Sequence, residues 1–244
     1  MDYFNESLII KGVSRKKDGA MKLSLGLNNR TSFLKEMGLD SKDLITPILE
    51  HGSIVKRVGK FDKIVKGCDG IVTDEKGVIL SITVADCLPI FLFDPQGEAI
   101  GLIHAGWRGL SKGIIHNAVK LFLKEFNSCP EKMLAIIGPG LCRDHFEVGQ
   151  EVALKFELYP KNITINQERI FVDIKGIAKV QLEENGLISE NIRVDPDCTF
   201  CLDSEYFSYR RSGPGKEIET MLCILTLKNK NPYEEQQDYC RRNI

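Results

Sequence analysis

Two short apolar runs, residues 90–93 and 100–103, stand out near the middle of the chain. Each run is bounded by turn residues and is dominated by branched or aromatic side chains, which is typical of buried β-strands. Cys87 lies just before the first run, and His104 lies just after the second. If the two strands pair as a hairpin, Cys87 and His104 therefore come out at the same end of a sheet.

Helical periodicity is clearest after this hairpin. Apolar residues between 111 and 126 recur at the spacing of one helical face, opposite lysines and a glutamate, and predict a helix over 111–126. A second helix is predicted over 174–184, capped by Asp173 and ended by Gly186. Shorter elements are predicted as a helix over 31–37, a strand over 48–52, a strand over 134–137 and a final strand over 217–227.

The irregular alternation of strands and helices indicates an α/β (α+β) sandwich, in which mixed β-sheets pack against helices, and not a doubly wound parallel sheet. We expect residues 1–244 to form a single domain. The segment 197–216 is predicted to be a long loop rich in aromatic residues and arginines, and loops of that length are usually functional or disordered.

Composition and charge argue against a disordered, nucleic-acid-binding or membrane protein. The chain is 43% apolar and 27% charged, which argues against disorder, and its formal net charge of −1 gives no electrostatic footprint for nucleic acid or an anionic membrane. The sequence has no apolar run long enough to span a bilayer, and its first residues do not resemble a signal peptide. We therefore expect a cytoplasmic monomer or homodimer that binds neither nucleic acid nor membrane.

Eight cysteines in a chain of this size and expected compartment do not indicate a disulfide framework. Cys198 and Cys201 form a Cys-x-x-Cys pair. A structural zinc site of that type needs a second pair, and none has suitable spacing, so the role of these two residues stays open.

The residues that can carry chemistry are His51, Cys87 and His104. Three ligands of this N/S type leave a fourth tetrahedral position for water or substrate, which is the pattern of a catalytic zinc. Zinc lowers the pKa of bound water to about 7, and copper also accepts imidazole and thiolate. A buried cysteine and core histidines fit the same residues, and residue chemistry alone does not separate the two interpretations.

Polar residues near these three have two interpretations each. Arg108 is a surface residue or grips an anionic oxygen beside a helix start, where free backbone N–H groups favour phosphate. Tyr209, Arg210 and Arg211 belong to an aromatic–arginine cluster that either packs at an interface or stacks a purine and holds its ribose or phosphate. Asp86 orients a metal ligand or caps a turn.

Several short segments, taken together in their order and spacing, resemble those of a known protein family. They are His51-Gly52, Ala85-Asp86-Cys87-Leu88-Pro89-Ile90, His104-Ala105-Gly106-Trp107-Arg108-Gly109, Gly138-Pro139, Phe146-Glu147-Val148-Gly149 and Ser208-Tyr209-Arg210-Arg211. The sequence resembles the YfiH, or laccase-domain (multicopper polyphenol oxidase), family, which includes the purine nucleoside phosphorylase relatives of FAMIN. The resemblance runs from about residue 28 to residue 227.

This resemblance implies a CNF1/YfiH-like fold and a zinc ion bound by His51, Cys87 and His104. It also implies phosphorolysis of adenosine, inosine, guanosine and methylthioadenosine, and deamination of adenosine, with a purine nucleoside and phosphate as the partners. The chain would then be both a glycosyltransferase and a hydrolase. We expect Asp86, Cys87, His104 and Arg108 to be catalytic. We expect substrate to contact Arg108, Glu147, Tyr209, Arg210 and Arg211, with Asp86 or Glu147 moving protons.

Three other functions fit parts of the pattern. A copper-dependent polyphenol oxidase of the true multicopper type needs many more histidines than the four present, so we expect zinc in preference to copper. A peptidoglycan-precursor editing hydrolase is also associated with relatives of this family. A non-catalytic zinc module would close the metal site with a fourth ligand such as Cys68 or Cys142. The chain departs from the family at Leu49, where glutamine is common, and at Lys216, where an arginine would make a bidentate anion contact.

Overall fold

A computed structural model describes residues 8–22, 26–213, 215 and 217–228; Lys216 lies outside the described residues. The strands are β1 (Ile9–Val13), β2 (Leu44–Pro47), β3 (Val55–Arg57), β4 (Ile64–Val65), β5 (Gly70–Thr73), β6 (Ile79–Val84), β7 (Leu88–Asp94), β8 (Ala99–Ala105), β9 (Leu134–Ile137), β10 (Glu147–Val148), β11 (Ile163–Asn166), β12 (Arg169–Val172), β13 (Ile192–Val194) and β14 (Met221–Leu227). The α-helices are α1 (Leu27–Glu36), α2 (Trp107–Ser111), α3 (Ile114–Phe126), α4 (Gln150–Ala153), α5 (Ile174–Glu184) and α6 (Tyr209–Ser212).

The strands form three sheets. A five-stranded sheet has the order β1-β14-β6-β2-β4, a six-stranded sheet has the order β13-β9-β7-β8-β5-β3, and β10-β12-β11 form a small third sheet. The two larger sheets are mixed, since β2 is parallel to β4 and β6, and β13 is parallel to β9, whereas β7 is antiparallel to β8 and β9. The expected fold class, mixed sheets packed with helices, is confirmed.

The two larger sheets pack face to face, and helices cover their outer faces. Phe91 and Phe93 of β7 point into the core between the sheets, whereas Leu88, Ile90 and Leu92 point to the opposite side, where α3 and α5 pack. Helix α1 covers the other side of the five-stranded sheet through Leu34. Because successive residues of a strand face opposite sides, a strand buried on both faces reads as the continuous apolar run seen in the sequence.

Some predicted elements match the structure and others need correction. Strand β9 has the predicted bounds, and α5 begins after Asp173, whose carboxylate accepts a hydrogen bond from the N–H of Gly176 at 2.9 Å. Helix α1 begins at Leu27, earlier than predicted, and the side chain of Thr31 bonds back to the carbonyl of Leu27 within the helix.

The helix predicted over 111–126 is two helices, α2 and α3, separated at Gly113, which has a φ of 76°. Residues 48–52, predicted as a strand, form an irregular connection after β2, and the final strand begins at Met221 and not at 217. Among the described residues, no helix combines the length and apolarity required to cross a bilayer.

Candidate active site

The β7–β8 hairpin brings Cys87 and His104 to one end of the six-stranded sheet, as predicted. Leu88 pairs with Ala105, and Pro89 pairs with His104, so His104 lies within β8 and not beyond it. Cys87 lies in the three-residue connection through which the chain leaves β6 of one large sheet and enters β7 of the other. The side chain of His104 is buried at 3% exposure, and Cys87 is half-buried.

Asp69, just before β5, organises this end of the sheet. Its Oδ1 lies 3.0 Å from Nδ1 of His104 and accepts a hydrogen bond from the N–H of His51 at 2.8 Å. Its Oδ2 accepts hydrogen bonds from the N–H groups of Gly52 at 2.7 Å and of Glu50 at 3.2 Å. One buried carboxylate therefore joins the loop that carries His51 to the strand that carries His104.

His51 adopts a left-handed conformation with a φ of 56°, which is uncommon for a residue with a side chain. The Asp69 carboxylate accepts hydrogen bonds from the N–H groups of His51 and Gly52, and these bonds hold that conformation. The ring of His51 meets the ring of His104 edge-on, with centroids 4.8 Å apart. Strained backbone of this kind is concentrated at functional sites, and Asp86, with a φ of 89°, is a second instance next to Cys87.

The donor atoms of His51, Cys87 and His104 all lie within 4.8 Å of one another. Asp69 occupies Nδ1 of His104 and so leaves Nε2 as the donor, which is the arrangement that orients metal-binding histidines. One thiolate and two imidazoles form a donor set that suits Zn²⁺ and also copper. These residues therefore fit a metal ion, and a fourth ligand position would face the adjacent cleft.

The charges at this site support metal binding by Cys87. Burial alone would raise the pKa of Cys87, but interactions with His104 and His51 lower it to about 6. Burial would lower the pKa of His104, but the Cys87 sulfur and the Asp69 carboxylate raise it to about 9. The pKa of Asp69 is below its ordinary value, because hydrogen bonds from His104 and the backbone outweigh its burial.

Gly106 lies directly against the sulfur. A Cβ at this position would lie 2.8 Å from the Sγ of Cys87 and 3.7 Å from a ring carbon of His51. A contact of 2.8 Å is closer than nonbonded atoms can approach, so only glycine leaves room for the three donors. This requirement gives a physical reason for a glycine at position 106.

A cleft of about 730 Å³ opens over the three donors, a size that suits a small organic ligand. Its polar lining includes Asp86, Arg108, Arg210, Lys22 and Glu217, and its apolar and aromatic lining includes Leu49, Trp107, Leu141, Phe146, Ile174 and Tyr209. The guanidinium of Arg108 lies 4.3 Å from the centre of the Trp107 ring, and that of Arg210 lies 5.8 Å from the centre of the Phe146 ring.

Asp86 is buried, and both of its carboxylate oxygens accept hydrogen bonds. Oδ1 accepts from the hydroxyl of Thr199 at 2.6 Å, and Oδ2 accepts from the N–H of Arg210 at 2.7 Å. These bonds join the connection that carries Cys87 to the loop that follows β13 and leads into α6. The Asp86 side chain therefore fixes the position of Arg210 in the cleft lining.

The predicted site residues divide into two groups. His51, Cys87, His104, Asp86, Arg108, Tyr209 and Arg210 all line the cleft. Arg211 instead donates to the carbonyls of Thr199 and Phe200 at 2.9 and 2.8 Å, and so supports the loop beside the cleft. Glu147 forms an ion pair with Arg169, and its carbonyl accepts a hydrogen bond from Arg210 at 2.9 Å.

Asp69 and Thr199 are the supporting residues that the sequence analysis missed. Asp69 lies in a Gly-Cys-Asp-Gly turn, where an aspartate is expected for reasons of turn geometry alone. Thr199 lies between two cysteines in a long loop and is 113 residues from the carboxylate that it contacts. Neither residue has a local pattern that would have identified it, since both act through contacts between distant segments.

The fold and this site define a mixed α/β protein in which one sulfur and two imidazole donors that could hold a metal ion line a cleft. The sequence model of the family described as multi-copper polyphenol oxidoreductase laccase matches residues 24–224. The chain therefore belongs to this family, and the resemblance predicted from the motifs is confirmed.

Several relatives carry the names of purine nucleoside enzymes. The chain is 33% identical over 236 residues to the purine nucleoside phosphorylase YlmD of Bacillus subtilis, with 85% of each chain covered. It is 29% identical over 202 residues to adenosine deaminase RL5 from an unknown prokaryotic organism, with 77% of each covered. The solved structure of YlmD from Geobacillus stearothermophilus superposes with a TM-score of 0.87 at 25% identity, covering 94% of each chain.

Proposed function

We propose that this chain is a zinc-dependent purine nucleoside enzyme that catalyses phosphorolysis of adenosine, inosine, guanosine and methylthioadenosine, and deamination of adenosine. The observation that carries the proposal is the convergence of His51, Cys87 and His104 at the floor of a cleft that arginines and aromatic residues line. The names of the relatives, purine nucleoside phosphorylase and adenosine deaminase, support the same substrate class.

His51, Cys87 and His104 would hold the zinc ion, with Asp69 fixing the ring of His104. When bound, zinc supplies a Lewis acid and lowers the pKa of water to about 7. Cys87 acts as a ligand in this proposal, since a thiolate held by a metal is a poorer nucleophile than a free one. The low pKa of Cys87, about 6, keeps it in the thiolate form at neutral pH.

In phosphorolysis, a phosphate oxygen forms a bond to C1′ of the ribose while the bond from C1′ to the purine nitrogen breaks and the purine takes up a proton. Arg108 and Arg210 lie in the cleft lining and would bind the phosphate dianion. Tyr209 and Phe146 would pack against the base and the sugar. Fixing phosphate and nucleoside in one cleft supplies the proximity that a two-substrate displacement requires.

In deamination, water adds its oxygen to C6 of adenosine, and ammonia leaves to give inosine. Protons then move from the attacking water to the leaving nitrogen, a task for a carboxylate within hydrogen-bond reach. Asp86 and Glu147 are the carboxylates proposed for it. Asp86 lines the cleft and directly precedes Cys87 in the chain, whereas Glu147 is paired with Arg169 and is not part of the cleft lining.

The direct test follows adenosine with the purified protein, with and without phosphate, while zinc and copper are measured in the same sample. Adenine and ribose 1-phosphate that form only with phosphate would show phosphorolysis, and inosine without phosphate would show deamination. The variant His104→Gln should lose both activities and the zinc ion held by His51, Cys87 and His104. The control His116→Gln should retain both, because His116 is exposed and bonds to Asn185 away from the cleft.

The two alternative enzymatic functions give different results in the same samples. A polyphenol oxidase would contain copper, oxidise phenols and lose that activity with copper chelation. A peptidoglycan-precursor hydrolase would cleave an amino-sugar peptide without phosphate. Unchanged nucleoside turnover in His104→Gln, or protein that holds zinc at His51, Cys87 and His104 and gives no nucleoside product, would overturn the proposal.

A further inference from the structure

A second cluster of metal-binding side chains lies outside the cleft, where the loops after two neighbouring strands meet. Strands β9 and β13 are parallel, so the segments that follow them leave the sheet at the same end of the strands. Cys142 and His145 follow β9, and Cys198 and Cys201 follow β13. An isolated parallel bridge between Gly140 and Cys198 continues the pairing into the loops and brings the four side chains together.

The four donor atoms have the spacing of a metal site. Nδ1 of His145 lies 3.1 Å from the Sγ of Cys142, 3.3 Å from that of Cys201 and 3.9 Å from that of Cys198, and all four donors lie within 4.8 Å of one another. For a tetrahedral zinc with bonds of about 2.0–2.3 Å, neighbouring donors are about 3.5–3.8 Å apart. Small side-chain adjustments would therefore close the four donors around one ion.

The surroundings hold the donors in place. The ring of His145 stacks on Phe200 with centroids 4.4 Å apart, which orients Nδ1 toward the sulfurs. The N–H of Cys142 points at the Sγ of Cys198 at 3.3 Å, a contact that favours a thiolate. The three cysteines are free thiols in the structure, so no disulfide competes for them.

Lys175 places a positive charge near the sulfurs of this cluster. Its ammonium donates to the carbonyls of Asp195 and Asp197 at 2.7 and 2.6 Å, and it interacts electrostatically with Cys198 and Cys142. Three thiolates, a neutral imidazole and a divalent ion carry a net charge of −1. A nearby lysine cation balances that charge and lowers the free energy of burying the complex.

We propose that Cys142, His145, Cys198 and Cys201 bind one structural zinc ion, separate from the ion at the active site. Thiolate and imidazole donors in a tetrahedral arrangement select zinc, and four protein ligands leave no position for substrate. The spacing is Cys-x-x-His followed by Cys-x-x-Cys. The pair that completes a zinc site with Cys198 and Cys201 is therefore a cysteine and a histidine, and not a second pair of cysteines.

This zinc would hold one wall of the active site. Thr199 lies between Cys198 and Cys201, is fully buried, and donates to Asp86, the neighbour of Cys87. Arg211 holds the carbonyls of Thr199 and Phe200, and Arg210 donates its N–H to Asp86. Removing the ion would loosen the loop that presents Arg210 to the cleft.

The test is metal analysis of the full chain purified under reducing conditions. To separate this proposal from the proposed function, the measurement uses the double variant Cys87→Ser/His104→Gln, in which two of the three active-site donors are removed. We expect that variant to keep one zinc per chain and to lose it when Cys201→Ser is added. Adding Cys129→Ser instead should leave the zinc in place, because Cys129 is outside both clusters.

A rescue variant guards against simple misfolding. His145→Ala should lose the zinc, and His145→Cys should regain it, because four thiolates also form a structural zinc site. Cobalt substitution of the double variant should give the intense sulfur-to-metal charge-transfer absorption of a three-thiolate, tetrahedral site. A double variant without zinc, zinc content unaffected by Cys201→Ser, or thiol titration that finds a disulfide among these cysteines would overturn the proposal.

Discussion

The carboxylate of Asp69 lies 3.0 Å from Nδ1 of His104 and, through a second set of hydrogen bonds, holds the backbone of the loop that carries His51. This one side chain therefore fixes both the ring orientation of one proposed ligand and the left-handed backbone of another. Its effect should be visible in metal affinity, since it sets the geometry of the donors and does not itself bind the metal.

Asp69→Asn should weaken zinc binding at the active site and lower nucleoside turnover by about 10- to 100-fold, the usual effect of removing a carboxylate that orients a histidine ligand. Competition with a chelator measures the affinity. Asp74→Asn is a suitable control, because Asp74 pairs with Arg57 on the surface. An affinity within twofold of the parent protein would show that His104 does not need this carboxylate.

Gly106→Ala should displace the Cys87 sulfur and reduce both zinc content and activity, because the added Cβ would lie 2.8 Å from Sγ. Gly59→Ala is the matched control: its Cβ would meet the end of the flexible Glu75 side chain, which can move away. Zinc per chain and thermal unfolding are measured on both variants. Full zinc occupancy in Gly106→Ala would contradict the proposed position of Cys87 among the ligands.

The reactivity of Cys87 in metal-free protein should report its lowered pKa. The thiolate is the reactive form, so its alkylation rate should rise with pH, reach half its maximum near pH 6 and level off above that value. An ordinary thiol reaches its half-maximum near pH 8.5. Peptide mass spectrometry separates Cys87 from Cys68, whose burial raises its pKa to about 11. A midpoint near 8.5 for Cys87 would contradict the proposed interaction with the two histidines.

Arg108→Lys should separate the two proposed activities. A hydrogen bond to a charged group contributes about 1.5–3 kcal/mol, so losing the bidentate contact should lower kcat/KM for phosphate by about 10- to 150-fold. Deamination of adenosine, which uses no phosphate, should change only a few-fold. Arg57→Lys on the surface serves as the control. Equal losses in both reactions would show that Arg108 acts on the nucleoside or on the fold and not on phosphate.

The sequence predicted local features well. The hairpin of β7 and β8, strand β9 and the capped helix α5 follow from apolar runs, helical periodicity and a good N-cap. Predictions from the sequence were wrong where contacts between residues far apart in the chain determine the conformation. Residues 48–52 have strand-like apolar character, yet the Asp69 carboxylate accepts hydrogen bonds from the N–H groups of Glu50, His51 and Gly52 and holds this part of the chain as a loop.

The same limit applies to the candidate sites. Residue chemistry identified His51, Cys87 and His104 as candidate ligands but left the core-residue interpretation open, because their spacing is too long for a local motif, and the family resemblance favoured the metal site. The partnership of Cys142 and His145 with Cys198 and Cys201 depends on the parallel pairing of β9 with β13, which no run of residues indicates. Strands that are distant in sequence position these ligands, so their positions follow from sheet topology.

The central claim is that His51, Cys87 and His104 bind zinc in the active protein. A zinc-edge anomalous difference map, measured on crystals of protein with verified nucleoside turnover, tests it most directly. We expect a peak about 2.0–2.1 Å from a ring nitrogen of each histidine and about 2.3 Å from the Cys87 sulfur. An active protein whose map has no peak among these three side chains would contradict the claim.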